Sequence, residues 1–334
     1  MKMLMFDFRD SEKEFFQKHE LKDFEIEFIK EPLNELSNLT DKQLEETDVI
    51  SVFITSDVTE KVIKQFRNLR IISTRSTGYN HIDVKYCIQN NIAVFNVNQY
   101  GESSVAEFTF MLILALVRKL IPAYLSTQNN LVSHENFEGQ NLKSLSIGII
   151  GCGTIGSSVA KIANFFGMKV YAYSYEKNNE ISHFCEYCEL DKLIKNSDIV
   201  TLHLPYTNET YHIINDKTIK NMKKGAILIN TARGELVDII ALHNNLVSGD
   251  LGGAALDTVE CENIAINNIP ININENNSKC ITKTLALEKL MGMDNVIITP
   301  HIAYNNKESV NTLLNTTFNN LRDYSKGLHT NQVR

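Results

Sequence analysis

The chain has 334 residues, 33 Lys+Arg against 40 Asp+Glu, 43% hydrophobic residues, six Cys and no Trp. That length suits about two domains, and the apolar share excludes a disordered chain. A net charge of −7 gives no attraction to nucleic acid or to an anionic membrane. Six cysteines over this length do not make a disulfide scaffold, and most are expected as small buried hydrophobes or inert thiols. Asp7 comes too early for the apolar stretch of a signal peptide. The most apolar helix-like run, 108–117, is about half a membrane span. A soluble, cytoplasmic protein is expected.

Short apolar runs alternate with helix-like stretches from the start. Residues 2–8, 24–29, 49–54, 70–74 and 92–97 read as strands, with β-branched and aromatic residues between turn residues. Such alternation implies a parallel sheet with right-handed crossovers. One long helix is expected over 103–125, capped by Ser103 or Ser104, as a connection between domains. A second series follows: 145–150, 169–174, 198–203, 226–230, 252–256 and 295–299. These runs are continuously apolar, as in strands buried on both faces. The stretch 263–283, rich in Asn and Ile, reads as an irregular insertion or a lid. Residues 307–324 read as a helix.

The run 145–150 leads directly into Gly151-Cys152-Gly153-Thr154-Ile155-Gly156 and then a helix-like stretch. A GxGxxG pattern is weak evidence alone, but here it stands between a strand and a helix, as a dinucleotide loop requires. The first glycine permits the turn, the second admits a pyrophosphate, and the third lets the helix pack on the strand. The helix N-terminus offers free N–H groups to the phosphates. An acid is expected about 20 residues on, to bind the ribose hydroxyls. Ser174 stands there instead, with Glu176 and Lys177 after it. The loop therefore predicts a dinucleotide and leaves NAD against NADP open.

Arg233, Asp257 and His301 stand at or just beyond the ends of strands in the second series, with Glu260 and Glu262 close behind Asp257. Ligands of open α/β sheets bind at that edge. An arginine presents a fixed fork to a carboxylate. A histidine can give or take the proton of a carbinol, and a carboxylate beside it stabilises the imidazolium. With a nicotinamide to carry hydride, this set suits a small carboxylate and the reduction of a carbonyl.

The motifs Ser76-Thr77-Gly78-Tyr79-Asn80-His81-Ile82-Asp83, Val105-Ala106-Glu107, the glycine loop, Thr201-Leu202-His203-Leu204-Pro205, Asn230-Thr231-Ala232-Arg233-Gly234, Gly253-Ala254-Ala255-Leu256-Asp257 and Thr299-Pro300-His301 follow in order. Over nearly its whole length the chain resembles the D-isomer-specific 2-hydroxyacid dehydrogenases. The likeness is closest to the D-lactate dehydrogenase branch, including the vancomycin-resistance type. The resemblance implies an α/β fold of two Rossmann-like, doubly wound parallel-sheet domains. The substrate domain would be formed by 1–99 and 301–334, with a dinucleotide-binding domain of 100–300 inserted in it. It implies reduction of pyruvate to D-lactate with NAD, or NADP given Ser174. Alternatives are a reductase of branched or aromatic 2-oxo acids and a non-catalytic NAD(H) sensor.

By the same resemblance Arg233, Glu262 and His301 are catalytic. Gly151, Gly153, Thr154, Ile155, Gly156, Ser174, Leu204, Pro205, Thr231, Ala232 and Asp257 bind cofactor, with Asp257 near the nicotinamide carboxamide. Thr77, Gly78, Tyr79, Tyr100 and Tyr304 join Arg233 around the substrate. Gly101-Glu102 departs from the family's usual Ser-Pro after the tyrosine. A homodimer through the nucleotide domain is implied, and no metal. Cys185-Glu186-Tyr187-Cys188 has metal-like spacing, but no fourth ligand is near in sequence. His81 and His203 read as packing groups.

Overall fold

The computed structural model describes residues 1–19, 22–98, 100–130, 136–262 and 275–333, apart from the side chains of 275–279. The chain forms two compact units, Met1–Gly101 with Asn305–Arg334, and Glu102–Tyr304. The divisions lie slightly beyond the expected 99 and 300, so Tyr100 stays with the first unit and His301 belongs to the second.

The first unit carries strands β1 (Lys2–Met5), β2 (Glu25–Phe28), β3 (Val49–Val52), β4 (Ile71–Thr74) and β5 (Ala93–Phe95), in the order β2-β1-β3-β4-β5 and all parallel. Each is shorter than its apolar run, because the chain leaves the sheet at the edge; Asp7, at φ 55, turns out of the run begun by β1. Helices α1 (Lys13–Lys18), α2 (Asp41–Glu46), α3 (Glu60–Ile63) and α4 (Val84–Gln89) connect the strands. The side chains of Thr40, Thr59 and Asp83 accept N–H bonds at the starts of α2, α3 and α4.

The second unit is a seven-stranded parallel sheet. Its strands are β6 (Ser146–Ile150), β7 (Lys169–Tyr173), β8 (Cys185–Tyr187), β9 (Ile199–Leu202), β10 (Ala226–Asn230), β11 (Leu251–Leu256) and β12 (Val296–Ile298). Their order is β12-β11-β10-β9-β6-β7-β8, so the winding reverses beside β6. Helices α5 (Glu102–Val117), α6 (Leu120–Gln128), α7 (Thr154–Phe165), α8 (Leu190–Asn196), α9 (Asp216–Lys220), α10 (Ile239–Val247) and α11 (Glu275–Met291) complete the unit among the described residues. Alternation explains the continuous apolar runs. Ile149, Ile199, Ile229 and Ala255 face a core with Phe110, Ile113 and Val159. Their neighbours Ile150, Val200, Leu228 and Leu256 face another with Leu242, Leu246 and Leu287.

Three expectations need correction. The segment 103–125 is two helices bent by 63°, not one, because Lys119 turns left-handed at φ 50 between α5 and α6. No single described helix is long and apolar enough to cross a membrane. Helix α5 begins at Glu102, so Ser103 and Ser104 lie within its first turn and not ahead of it as expected. Of the expected irregular insertion, 275–283 is the start of α11, and 263–274 lies outside the described residues.

Cys185 is part of edge strand β8, which the sequence reading missed. Burial pushes the thiols of Cys87, Cys152 and Cys185 up to about 12, so they are inert near neutrality. Cys261 and Cys280 form a disulfide, which was not foreseen.

Candidate active site

The glycine loop leaves β6 at the reversal point. Gly151 holds φ 97, and a Cβ there would lie 2.7 Å from the His203 carbonyl. A Cβ on Gly156 would lie 1.9 Å from the Gly151 carbonyl, so only glycine lets α7 start this close to the strand. At Gly153, the N-cap of α7, a Cβ would meet nothing within 4 Å. The loop is tight where it must pack and open where a pyrophosphate would approach the helix N-terminus, so it fits a dinucleotide. Thr154 is exposed and Ile155 half-buried beside this opening. Ser174 follows β7 half-buried, with Glu176 and Lys177 exposed. Leu204 and Pro205 follow β9 on the far side of Gly151. Burial lowers the pKa of His203 to about 3, so its ring, bonded to Thr201 at 3.0 Å, is a neutral packing group.

Asn230, at the end of β10, organises the next loop. It is completely buried. Its amide donates to the Arg233 carbonyl at 2.8 Å and its Oδ1 accepts from Ala232 N–H at 3.0 Å. Its own carbonyl accepts from Asp257 N–H at 2.9 Å. Thr231 bonds Thr109 of α5 at 3.0 Å. Gly234 lets this loop lie on the next one, since a Cβ there would be 2.0 Å from the Val259 carbonyl carbon. Arg233 remains half-buried, held at the sheet edge.

Asp257 directly follows β11 and is 0% exposed. Its Oδ1 accepts from Thr299 Oγ1 at 2.5 Å and Ile302 N–H at 2.9 Å, and its Oδ2 from Ala303 N–H at 2.8 Å. Its carbonyl accepts from His301 N–H at 3.0 Å. The resemblance places Asp257 near the nicotinamide carboxamide; in the structure its carboxylate is bonded to the turn that carries His301. That turn is left-handed at His301, φ 53, which costs roughly 1–2 kcal/mol and needs such a hold. His301 Nδ1 then faces both oxygens of Glu262, at 3.1 and 3.2 Å, with both side chains 21% exposed. Tyr304 is buried.

The candidate residues of the first unit lie in the loop after β4. Thr77 Oγ1 donates to the Val97 carbonyl at 2.9 Å, Asn96 donates to the Thr77 carbonyl at 2.8 Å, and Ser76 Oγ donates to the Gly78 carbonyl at 2.6 Å. The N–H groups of Thr77, Gly78 and Tyr79 have no acceptor among the described residues. The loop is a rigid presentation of free donors. Tyr100 is half-buried at the end of this unit.

Of the residues singled out in the sequence, the structure brings Glu262 and His301 together; sequence reasoning missed Asn230, whose signal was an amide at the buried end of an apolar strand. It also missed how Glu260 is used. Glu260 accepts from Lys283 at 2.6 Å and faces His212 Nε2 at 3.0 Å.

The profile described as "D-isomer specific 2-hydroxyacid dehydrogenase, NAD binding domain" matches residues 110–303. A D-specific alpha-keto acid dehydrogenase of Enterococcus faecium is 38% identical over 83% of this chain and 83% of its own. An aromatic 2-oxoacid reductase of Clostridium sporogenes is 35% identical over 85% of each. A D-lactate dehydrogenase from Aquifex aeolicus, solved with NAD and lactic acid, superposes with a TM-score of 0.87 at 35% identity, covering 99% of this chain and 98% of that one. With its glycine loop on a doubly wound sheet and its His–Glu pair at that sheet's edge, the chain belongs to the D-isomer-specific 2-hydroxyacid dehydrogenases, D-lactate dehydrogenase branch.

Proposed function

We propose that the protein reduces pyruvate to D-lactate, with His301 as the acid/base. The observation that carries this reading is the pairing of His301 Nδ1 with both oxygens of Glu262 on a turn that Asp257 clamps. A nicotinamide cofactor bound at the glycine loop supplies the hydride. The Arg233 guanidinium holds the substrate carboxylate by its fork and draws charge from the 2-oxo group. Within the first unit, the free N–H groups of Thr77, Gly78 and Tyr79 suit a carboxylate, since unpaired donors capture anions. The His301 imidazolium donates its Nε2 proton to the developing alkoxide, and Glu262 stabilises the charged ring while it waits. Asn230 and Asp257 touch no reactant in this reading; they place Arg233 and His301.

The Clostridium relative's name favours a second reading, an aromatic 2-oxo acid as substrate. Comparison of kcat/KM for pyruvate and phenylpyruvate, with NADH and with NADPH, decides between them. His301→Ala should lower kcat by about 10²-fold or more on the preferred substrate. Turnover near that of the unaltered protein would sink the acid/base role. No oxidation of either cofactor across a panel of 2-oxo acids would leave a nucleotide sensor.

NAD is the proposed cofactor, and Ser174 leaves NADP admissible because no carboxylate repels a 2′-phosphate there. Ser174→Asp should shift the preference towards NADH by about tenfold or more in kcat/KM. An unchanged preference would remove Ser174 from cofactor selection.

A homodimer is proposed through α5 and α6. Met111, Leu114, Leu120, Ile121, Tyr124 and Leu125 expose apolar surface there, beside a cavity of about 490 Å³. Sedimentation at micromolar concentration should give twice the 37.9 kDa chain mass. A monomer would contradict it.

A further inference from the structure

Helix α11 grips the loop that carries Glu262 at two consecutive residues. Lys283 Nζ lies 2.6 Å from Oε1 of Glu260, whose side chain is only 4% exposed. Cys280, three residues before Lys283 and on the same helical face, is bonded to Cys261, with Cα atoms 5.7 Å apart. Leu287 and Leu290 continue that face into the core at 2% and 0% exposure. One end of the helix is thus anchored, and the other holds the loop.

Cys261 sits between the two carboxylates and is left-handed, φ 55. A β-substituted residue holds that conformation only under constraint. The next residue is Glu262, which meets His301. Glu260 is held independently by His212, so the bridge acts chiefly on the Cys261–Glu262 step. Among the described residues, Lys283 and the titratable rings of His212 and His301 face this loop, with Asp238 3.9 Å from His212.

We propose that the Cys261–Cys280 bridge is a thiol-controlled positioning device for Glu262. With the bridge intact, Glu262 is held against His301. A thiol reductant breaks the S–S bond through a mixed disulfide. The reductant gives up two electrons and becomes a disulfide, and two protons end on the sulfurs of Cys261 and Cys280. The left-handed turn then relaxes, Glu262 leaves the imidazole, and turnover falls. This rests on reading His301 and Glu262 as the acid/base pair.

The test uses the full chain with dithiothreitol, following kcat and KM for reduction of the preferred 2-oxo acid. Alkylation reports the bridge. The other thiols interfere little, since burial raises the pKa of Cys87, Cys152, Cys185 and the half-buried Cys188. Reduction should lower kcat by at least about fivefold with little change in KM, and reoxidation should restore it. Cys280→Ser should sit at the reduced level and ignore dithiothreitol. In Glu262→Gln, already slow, opening the bridge should cost nothing further, because both changes remove one interaction.

Unchanged kcat after alkylation has shown the bridge open would overturn the proposal. So would an equal loss in the Glu262→Gln background, which would mark general loosening, or two free thiols in the untreated protein. If Glu262→Gln itself is as fast as the unaltered protein, the acid/base reading fails and this proposal with it. If Glu262→Gln is slow and reduction has no effect, only this proposal fails.

Discussion

The site depends on a buried carboxylate that touches no reactant in the proposed mechanism. Asp257 has no exposed surface, and its two oxygens accept three hydrogen bonds from the turn 299–303. A buried charge is tolerable only when hydrogen-bonded this fully. The turn in exchange gains a fixed left-handed residue, His301, aimed at Glu262. Asn230 extends the same logic sideways, tying the Arg233 loop to Asp257 through its side-chain amide and its own carbonyl. Three strand ends, β10, β11 and β12, thereby act as one frame.

Three acids within six residues have different environments and therefore different jobs. Asp257 is enclosed and bonded to the turn. Glu260 is nearly as buried but faces Lys283 and His212, with Oε2 lacking a hydrogen-bond partner among the described residues. Of the three only Glu262 is partly exposed, and it opposes His301. Spacing by two places alternate residues on one side of the loop, but packing by Gly234 and the grip of α11 decide what each one meets.

Local features were legible in the sequence. The glycine loop was readable because its turn, its opening and its close packing are all set within six residues of backbone. Arg233, Asp257 and His301 could be placed at one edge because residues following buried parallel strands gather there, whereas the choice of Glu262 over Glu260 came from the family resemblance. Their support was not readable. Asp257 meets its partners more than forty residues away, so its hold on the turn could not be read from its neighbours in sequence. The bend at Lys119 was hidden because nothing in a lysine announces a left-handed backbone. Strand β8 was hidden because Cys185-Glu186-Tyr187 lies at the sheet's edge, where no continuous apolar run is needed. The disulfide was hidden because pairing is a property of space, not of spacing.

The most direct measurement is the steady-state kinetics of Asp257→Asn, taken with its thermal unfolding. The amide matches the carboxylate in size but offers an NH₂ group where Oδ1 or Oδ2 now accepts. The His301 turn should lose its hold while the sheet remains folded. A fall in kcat of about 10²-fold, with KM for the 2-oxo acid changed far less, is the result predicted. Unaltered kcat in a folded Asp257→Asn protein would show that the turn stands without its clamp, and would contradict the central role given to it.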